Sequence, residues 1–383
     1  MWRMVVVLMM VGLCVHTAAA LPGSGTQQDP WRIQSLADFD EFAAHPNYWA
    51  GFTRLQTDVN LAGRTYTTAV IAPDTDQTTY WFQGTSFTGV FDGNDHKIIG
   101  LTIKAGANDY LGLFGFIEDG EVRNLTLEGA SVTGYCDVGG LVGYNVGSIS
   151  NCHSTGNVSG RDYVGGLVGY NVGSISNCYS TSDVNGNSEV GGLVGTNGFF
   201  IFGYPYPGVI YNCYSIGDVN GVGIVGGLVG DNSVGFVSNC YSTGDVNGVE
   251  YVGGLVGMNG FVTPLGASGW IGNCYSTGWI TASGDYVGGL VGTNDWVVEG
   301  SFWDVQTSGQ TESSGGTGKM TAEMQTKSTF TEAGWDFIEI WGIGENQTYP
   351  YLRFAPAGDL NIDSKVDLFD LAILASHWLE ERK

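Results

Sequence analysis

The stretch GGLVGYNVGSISNC occupies residues 139–152 and is repeated letter for letter at residues 165–178. Its first five residues, GGLVG, begin at six places along the chain: Gly139, Gly165, Gly191, Gly226, Gly253 and Gly288. Successive copies are 26, 26, 35, 27 and 35 residues apart. A period of this length is typical of repeat proteins in which each copy forms one supersecondary unit that stacks on the next.

The residues within each copy favour strands and tight turns. Val, Ile, Thr and Tyr are interspersed with Gly and with Asn-Gly pairs, and no helical spacing of apolar residues is present. Leucine-rich repeats need more Leu and a helical arm, and a propeller blade needs about 40 residues. The pattern therefore predicts an all-β fold, a parallel β-helix or β-solenoid of roughly eight coils that stack about 4.8 Å apart.

Stacking turns each repeated letter into a column that runs along the solenoid axis. Two columns are Asn, whose amides can donate and accept hydrogen bonds along the axis and whose backbone tolerates the left-handed conformation of a tight corner. The first is Asn145, Asn171, Asn197, Asn232, Asn259 and Asn294; the second is Asn124, Asn151, Asn177, Asn212, Asn239 and Asn273. We interpret both columns as structural.

The next two positions hold Cys and then an aromatic residue. Leu125 begins a column that continues as Cys152, Cys178, Cys213, Cys240 and Cys274, which indicates an inward apolar position and favours buried thiols. Six cysteines remain after loss of the signal sequence described below, and this even number in an exported chain keeps disulfides open. The aromatic column is expected to face outward, either as rings stacked over the sheet or as an exposed stripe for a sugar chain: Thr126, His153, Tyr179, Tyr214, Tyr241, Tyr275 and Phe302.

Two copies are longer than the others, and both carry their extra residues directly after the first Asn column. The insertions are GFFIFGYPYP at residues 198–207 and GFVTPLGASG at residues 260–269. Insertions at one point of a repeat map to loops on one edge, which is often the binding edge. We expect the aromatic residues of the insertions to contact a ligand: Phe199, Phe200, Phe202, Tyr204, Tyr206 and Phe261.

Charge and the N-terminus limit the partners and the location. A net charge of −24 repels phosphate backbones, so we expect no nucleic acid partner. Arg3, an apolar run over residues 4–15 and three consecutive Ala residues predict a secretory signal peptide at residues 1–20. No other long apolar run exists, so we expect an extracellular or cell-surface protein without a membrane span.

The remaining domain boundaries follow from where the period begins and ends. Residues 21–82 are interpreted as an N-terminal cap, with a short helix that begins after Ser35 and ends before Pro46. Residues 83–304 form the predicted solenoid. Residues 305–355 are interpreted as a C-terminal cap, and residues 356–383 as a separate calcium-binding tail.

The unit GGLVG, with the Asn that follows it and the later NCYSTG, resembles the GLUG motif. This motif occurs in tandem in large bacterial surface and secreted proteins, including adhesin-like ones. The resemblance covers about residues 110–303. It implies a cell-surface or secreted role and does not identify a ligand. We expect a structural or adhesive solenoid with a glycan or a surface protein as its partner.

The C-terminal stretch GDLNIDSKVDLFDLAILASHWL, residues 358–379, resembles one repeat of a type I dockerin, in which a calcium-binding loop precedes a helix. The resemblance places Ca²⁺ ligands at Asp359, Asn361, Asp363, Lys365 (through its carbonyl), Asp367 and Asp370. The loop departs from the pattern, because Ile362 and Ser364 stand where Gly is usual and Asp370 replaces the Glu of an EF-hand. A dockerin has two such repeats, so this half dockerin argues against docking to a cohesin.

The catalytic residues of known β-helix enzymes are hard to find in this sequence. Residues 162–318 contain no Lys, Arg or His, which removes the cationic base of a polysaccharide lyase. The repeated carboxylates have no neighbours that would separate their pKa values, as acid/base catalysis requires. We therefore expect a structural or adhesive solenoid that is not an enzyme. The alternative is a carbohydrate-active β-helix enzyme, a lyase or hydrolase, tethered through its dockerin-like tail.

Overall fold

The computed structural model describes residues 20–353, except residues 80, 202, 203, 264 and 265. Within this range the chain is a parallel β-solenoid, which confirms the predicted fold class. The predicted signal peptide and the predicted calcium-binding tail lie outside the described residues. Each GGLVG copy contributes strands to three parallel sheets, and the three sheets enclose a narrow apolar core.

Two of the sheets are built from the GGLVG region of each copy. The DYVG sheet, named after its strand at residues 162–165, consists of Cys136–Gly139, Asp162–Gly165, Ser188–Gly191, Ile224–Gly226, Tyr251–Gly253 and Tyr286–Gly288. The VGYN sheet, named after its strand at residues 142–145, consists of Phe114–Ile117, Val142–Asn145, Val168–Asn171, Val194–Asn197, Val229–Asn232, Val256–Asn259 and Val291–Asn294.

The third sheet, called the long sheet, has three parallel ladders. The first ladder consists of Trp31–Ile33, Phe52–Leu55, Val90–Asp92, the beginnings of Glu121–Thr133 and Ser148–Ser159, and then Ser174–Ser176, Val209–Tyr211, Phe236–Ser238, Trp270–Gly272 and Val297–Glu299. The second adds Val59–Asn60, Lys97–Ile99, Tyr179–Ser180, Tyr214–Ser215, Tyr241–Ser242, Tyr275–Ser276, Phe302–Asp304 and Thr317–Lys319. The third adds Thr102–Lys104, Asp183–Asn185, Val219–Asn220, Val246–Gly248 and Ile280–Ala282.

The remaining elements are short hairpins and helices. The hairpins pair Phe199–Ile201 with Tyr204–Tyr206, Phe261–Thr263 with Gly266–Ser268, and Trp341–Gly342 with Tyr351–Leu352. The helices are Leu36–Ala44, the 3₁₀ turn Pro46–Tyr48, Thr321–Met324 and Lys327–Thr331. The Ser35 hydroxyl accepts a hydrogen bond from the Asp38 backbone N–H, so the predicted N-cap is confirmed.

Parallel pairing begins before the predicted solenoid. Trp31–Ile33 pairs with Phe52–Leu55, which in turn pairs with Val90–Asp92. The first two of these strands lie inside the segment that the sequence assigns to the N-terminal cap. The domain boundaries themselves stay a prediction.

Glycine in GGLVG leaves room for the tight corner between the DYVG and VGYN sheets, where the chain passes close to other parts of the same coil. A Cβ on Gly165 would collide with the Val168 carbonyl oxygen, and a Cβ on Gly166 with the Ser180 hydroxyl. The following Leu167 points into the core and is fully buried. Full burial of each such Leu or Val stabilises the fold by about 1.5–3 kcal/mol.

The first Asn column is a buried ladder of amides, as predicted. Each side-chain N–H₂ donates to the side-chain oxygen of the Asn in the next coil, at 2.8 Å from Asn145 to Asn171 and again from Asn171 to Asn197. The ladder continues through Asn232 and Asn259 to Asn294 at 2.7–2.8 Å. The second Asn column lies at the predicted left-handed corner, with φ between 51° and 55°.

The Cys column is inward and fully buried, and the described cysteines are free thiols, in agreement with the favoured interpretation. The aromatic column next to it stacks along the axis. Tyr179, Tyr214, Tyr241 and Tyr275 have ring centroids 4.7–5.1 Å apart and interplanar angles of 2–9°. The interpretation as a ring stack is therefore confirmed.

The alternative of an exposed aromatic stripe is wrong for three of these tyrosines. Tyr214, Tyr241 and Tyr275 are completely buried because the chain after the last repeat folds back over them. The covering residues are Met324, Phe330, Trp335, Phe337, Trp341 and Leu352. The Tyr275 hydroxyl donates to the Pro350 carbonyl at 2.7 Å, which fixes the cover to the stack.

Replacing Asn171 by Ala should lower the free energy of unfolding by about 1–3 kcal/mol, because a donor and an acceptor of the buried ladder lose their partners. Asn247→Ala removes the same type of amide from an exposed position, where Asn247 donates to Asn220 at 3.1 Å, and is the matched control. Urea denaturation of both variants measures the difference. Equal losses in the two variants would contradict the structural role of the buried ladder.

Candidate functional site

The outward column of the VGYN sheet is aromatic in its first coils. Phe116, Tyr144 and Tyr170 are paired in register on neighbouring strands. The rings of Tyr144 and Tyr170 stack with centroids 4.9 Å apart and an interplanar angle of 12°. Phe116 meets Tyr144 edge-on at 5.3 Å. These rings form the floor of a groove on the outside of the solenoid.

The first insertion supplies one wall of this groove. Phe199 and Tyr206 face each other across the hairpin, with ring centroids 5.0 Å apart and an interplanar angle of 12°. Phe199 also meets Tyr170 edge-on at 6.1 Å, which attaches the hairpin to the floor. The wall is therefore a pair of stacked rings standing on the tyrosine column.

The opposite wall comes from the N-terminal part of the chain. Phe82 contacts Tyr110 at 5.5 Å and Phe116 at 4.9 Å between ring centroids, and Trp81 next to it is 65% exposed. The groove between the two walls has a volume of about 400 Å³. A continuation of about 310 Å³ extends over Asp137, Tyr163 and Phe200.

The backbone at the edge of the groove is unusual. Tyr110, Asp137, Tyr163 and Glu189 have φ values of 56°, 52°, 57° and 49°. The four residues that directly follow them pair in register with one another. The four residues with left-handed backbone therefore lie in successive coils. Left-handed backbone is uncommon for Tyr and Glu and costs about 1–3 kcal/mol per residue. Of these four side chains, those of Tyr110, Asp137 and Tyr163 line the groove.

Carboxylates accompany the aromatic rings. Asp137 is only 9% exposed, and burial together with repulsion from Asp109 raises the pKa of its carboxyl group well above the usual range. Burial also raises the pKa of Glu189. The groove and its surroundings therefore combine aromatic faces with carboxyl groups that are poorly solvated, an arrangement that binding sites share and that plain structural surfaces rarely have.

Only some of the ligand-binding residues predicted from the sequence lie in the groove. Phe199, Phe200 and Tyr206 line the groove or its continuation. Tyr204 is 67% exposed on the hairpin. Phe261 lies on the backbone of the second hairpin, which leaves the solenoid after Asn259 rather than after Asn197. Phe202 and the six predicted calcium ligands, residues 359, 361, 363, 365, 367 and 370, lie outside the described residues.

Sequence reasoning missed the floor and the second wall of the groove. The sequence contained a signal for the floor residues. The position x of VGxN varies between copies, whereas the other positions of this segment are constant. It is Tyr144 and Tyr170 in the first two copies, and Thr196, Asp231, Met258 and Thr293 afterwards. An outward position is free to vary, so it is where binding residues accumulate. Trp81 and Phe82 belong to no repeat and had no such signal.

Comparison with known proteins identifies the repeats. Residues 134–159, 160–185 and 186–220 match the family model described as the GLUG motif, so the chain contains GLUG repeats. Halomucin of Haloquadratum walsbyi is 34% identical over 154 residues, which cover 38% of this chain and 2% of halomucin. A protein of Evansella cellulosilytica named as a candidate Gly-rich membrane protein is 51% identical over 55 residues, 14% of this chain and 6% of the relative. The chain thus spans only a small part of the length of these curated relatives.

Solved structures share the solenoid fold. A candidate immunoglobulin A1 protease from Bacteroides ovatus superposes with a TM-score of 0.56 at 21% identity, covering 87% of this chain and 95% of that structure. A second structure, named IgA1 protease, gives a TM-score of 0.50 at 19% identity over 71% of this chain and 21% of its own. At these identities the likeness shows the fold alone.

These neighbours correct one expectation. The sequence led us to expect a protein that is not an enzyme, because residues 162–318 lack Lys, Arg and His. That exclusion is wrong, since two solved structures that share this fold are named as a candidate protease and a protease. The missing cationic residues speak only against a lyase-type base and leave other chemistries open.

No metal or membrane site emerges from the described residues. Within residues 20–353, apart from the gaps noted above, no group of three or more His, Cys, Asp or Glu side chains is arranged to hold a metal ion. In the same part of the chain, none of the helices has the length and apolar character needed to cross a membrane.

Asp231 provides a test of the electrostatics along this outward column. Burial raises the pKa of its carboxyl group to about 7; repulsion from Glu189 adds to the rise, and a hydrogen bond from the Ser233 hydroxyl opposes it. Because the folded state then holds a proton that the unfolded state releases near pH 3.8, stability falls as pH rises from about 3.8 to about 7.

Asp231→Asn should therefore be more stable than the unchanged protein at neutral pH, and the difference should vanish as the pH falls below 3.8. Thermal unfolding across this pH range measures both proteins. Asp285→Asn, at an exposed position, is the control and should show no such trend. A constant difference between Asp231→Asn and the unchanged protein at every pH would refute the raised pKa.

Proposed function

We propose that this protein is a secreted or cell-surface β-solenoid that binds a glycan chain in the aromatic groove. The observation that carries the proposal is the groove itself, whose floor and two walls are aromatic. Flat ring faces stack on the apolar faces of sugar rings, and Tyr hydroxyls offer hydrogen bonds to sugar hydroxyls. Because the floor of the groove follows three successive coils along the solenoid axis, it suits a polymer better than a small compact ligand.

The relatives support the surface location. One is named halomucin and the other is named as a membrane protein. A surface with a net charge of −24 favours solubility outside the cell and disfavours nucleic acid and anionic lipid as partners. The adhesive role that the GLUG resemblance implies fits a polymer ligand.

The hairpin of the first insertion gives the groove its specificity in this proposal. Without Phe199 and Tyr206, the tyrosine floor would be an open face of the sheet. With them, a sugar ring placed on Tyr144 has a second aromatic surface beside it. Insertions at other copies would produce grooves of other shapes on the same scaffold.

Trp81→Ala should weaken glycan binding about tenfold or more, because it removes the large exposed aromatic side chain of one wall. Affinity electrophoresis in gels that contain single polysaccharides from a broad panel measures the effect. Trp279→Ala is the matched control: Trp279 is similarly exposed, at 53%, but it directly precedes the long-sheet strand Ile280–Ala282 and does not line the groove. If the polysaccharide retards both variants equally less than the unchanged protein, or if it retards neither variant less, the groove is not the glycan site.

We further propose that the C-terminal tail binds Ca²⁺ through the six predicted ligands, Asp359, Asn361, Asp363, Lys365, Asp367 and Asp370. The support is the sequence alone: alternating Asp and Asn residues supply the six to eight oxygens that the ion requires. The bound ion would neutralise the acidic loop and allow the following apolar helix to form. A cohesin as the partner of this single repeat is not part of the proposal.

Titration calorimetry with CaCl₂ should show one binding event that is lost in Asp363→Ala, since that substitution removes a central carboxylate of the loop. EDTA should remove the helical signal of the tail from the far-UV circular dichroism spectrum, while the β-solenoid stays folded. Asp295→Ala, outside the tail, serves as the control. Heat of binding that persists in Asp363→Ala would reject this ligand set.

A further inference from the structure

Binding of a neutral sugar would not account for the Asp137 carboxylate in the groove. It is 9% exposed and lines the continuation of about 310 Å³. Among the described residues no hydrogen-bond donor reaches its side chain, and only burial and repulsion from Asp109 act on its pKa. Buried carboxylates in proteins are normally paired with a donor or a cation, and the described residues provide neither for Asp137.

Within the part of the chain that the structure describes, no cationic side chain lines this part of the groove. The described ionisable groups that act on Asp137, or are acted on by it, include Asp109, Tyr110, Cys136 and Tyr170. Tyr144 and Tyr163 complete the ionisable side chains lining the continuation. All of these groups are neutral or negative, and no Lys or Arg is found among the described residues that line it.

The walls around Asp137 are those that attract a cation. Each ring presents a negative π face, and several rings around one carboxylate form a cage of the kind that binds ammonium groups. The rings that line the continuation with Asp137 are Trp81, Tyr110, Tyr144, Tyr163, Tyr170, Phe199 and Phe200. An ammonium group would meet aromatic faces and the unpaired carboxylate at the same place.

We infer that the groove takes an amino-sugar polymer, a glycan whose rings carry protonated amines, with an ammonium group hydrogen-bonded to the Asp137 carboxylate. This inference rests on the proposed glycan-binding function and specifies its substrate class. The sugar rings lie on Tyr144 and between the walls, and the amine points to Asp137. The ammonium group provides the N–H donors that the carboxylate lacks.

The carboxyl groups beyond Asp137 extend the same preference along the axis. Glu189 follows in its column two coils later, and Asp231 stands in the neighbouring outward column one coil beyond that. Coils are about 4.8 Å apart, so a chain that runs along the axis meets a carboxyl group at intervals of one or two coils. The net charge of −24 attracts a cationic polymer as a whole.

Titration calorimetry of the full chain with oligomers of glucosamine and of N-acetylglucosamine, equal in length, tests the inference. The two probes share their rings and differ in charge. We expect the glucosamine oligomer to bind about tenfold more tightly, because it alone carries the ammonium group. In Asp137→Asn the ratio of the two affinities should fall to near one. Circular dichroism and the thermal midpoint establish that the variant is folded.

A proton-release measurement distinguishes a specific ion pair from general attraction. The measurement is made at a pH at which the amines of the oligomer are already protonated before binding. Since an ammonium group beside Asp137 lowers the raised pKa of its carboxyl group, binding should then release a proton, which appears as a dependence of the binding heat on the ionisation enthalpy of the buffer. Asp137→Asn should lose this dependence. Asp285→Asn removes the same charge from an exposed position and should keep both the affinity ratio and the proton release.

Three outcomes would overturn the inference: equal affinities for the two oligomers, proton release that persists in Asp137→Asn, or the same loss of preference in Asp285→Asn. If the N-acetylated oligomer or another neutral glycan binds in a manner that depends on Trp81, the proposed function stands while the inference fails. If no glycan of either kind binds, the proposed function fails together with it.

Discussion

The solenoid depends on the buried column of Asn side chains that runs through six coils. An amide inside an apolar core is unstable unless each of its polar atoms has a partner. Here the partner is the same amide of the next coil, at 2.7–2.8 Å throughout the column. A coil shifted by one residue would bury an apolar side chain against an amide, so the column fixes the register of every strand that it joins.

This constraint explains why the repeats are so similar where they face inward. The Asn must recur, the glycines of GGLVG must recur because neighbouring backbone occupies the space of a Cβ, and Leu, Val and Cys must recur to fill a narrow core. Outward-facing positions are not restricted by the Asn ladder or by the packing of the core. The variable letter of VGxN and the loop after it therefore carry the differences between coils, and the aromatic groove is built from those two places.

The sequence predicted most of what the constraint governs. Residues that recur at one spacing predicted the coils, both Asn columns, the buried thiols and the edge that carries the insertions. The Ser35 cap could be predicted because it depends on a local hydrogen bond. Phe199 and Tyr206 were predicted as contact residues because the insertion containing them interrupts the period. Trp81, Phe82 and the left-handed backbone of Asp137 were not predicted, since they depend on contacts between segments that share no pattern.

The buried tyrosine stack also shows that the repeat pattern does not predict contacts with segments outside the repeats. Periodicity indicated correctly that Tyr214, Tyr241 and Tyr275 leave the core and stack, but it carried no information about the aperiodic chain that covers them. Repeats thus determine what each coil does to its neighbours, and the flanking segments determine which outward faces remain available. The groove is available because the C-terminal segment packs over the long sheet instead.

The central claim is that equivalent residues of successive copies lie above one another, however long the insertion between them. Spin labels on paired cysteines at exposed positions of one column test it, in a Cys136→Ser background: Asn157 with Asp183, 26 residues apart, and Asp183 with Asp218, 35 residues apart and separated by the first insertion. Continuous-wave electron paramagnetic resonance should show the same strong dipolar broadening for both pairs, since both span one coil spacing of about 4.8 Å. Broadening in the first pair that is lost in the second would contradict the stacked solenoid.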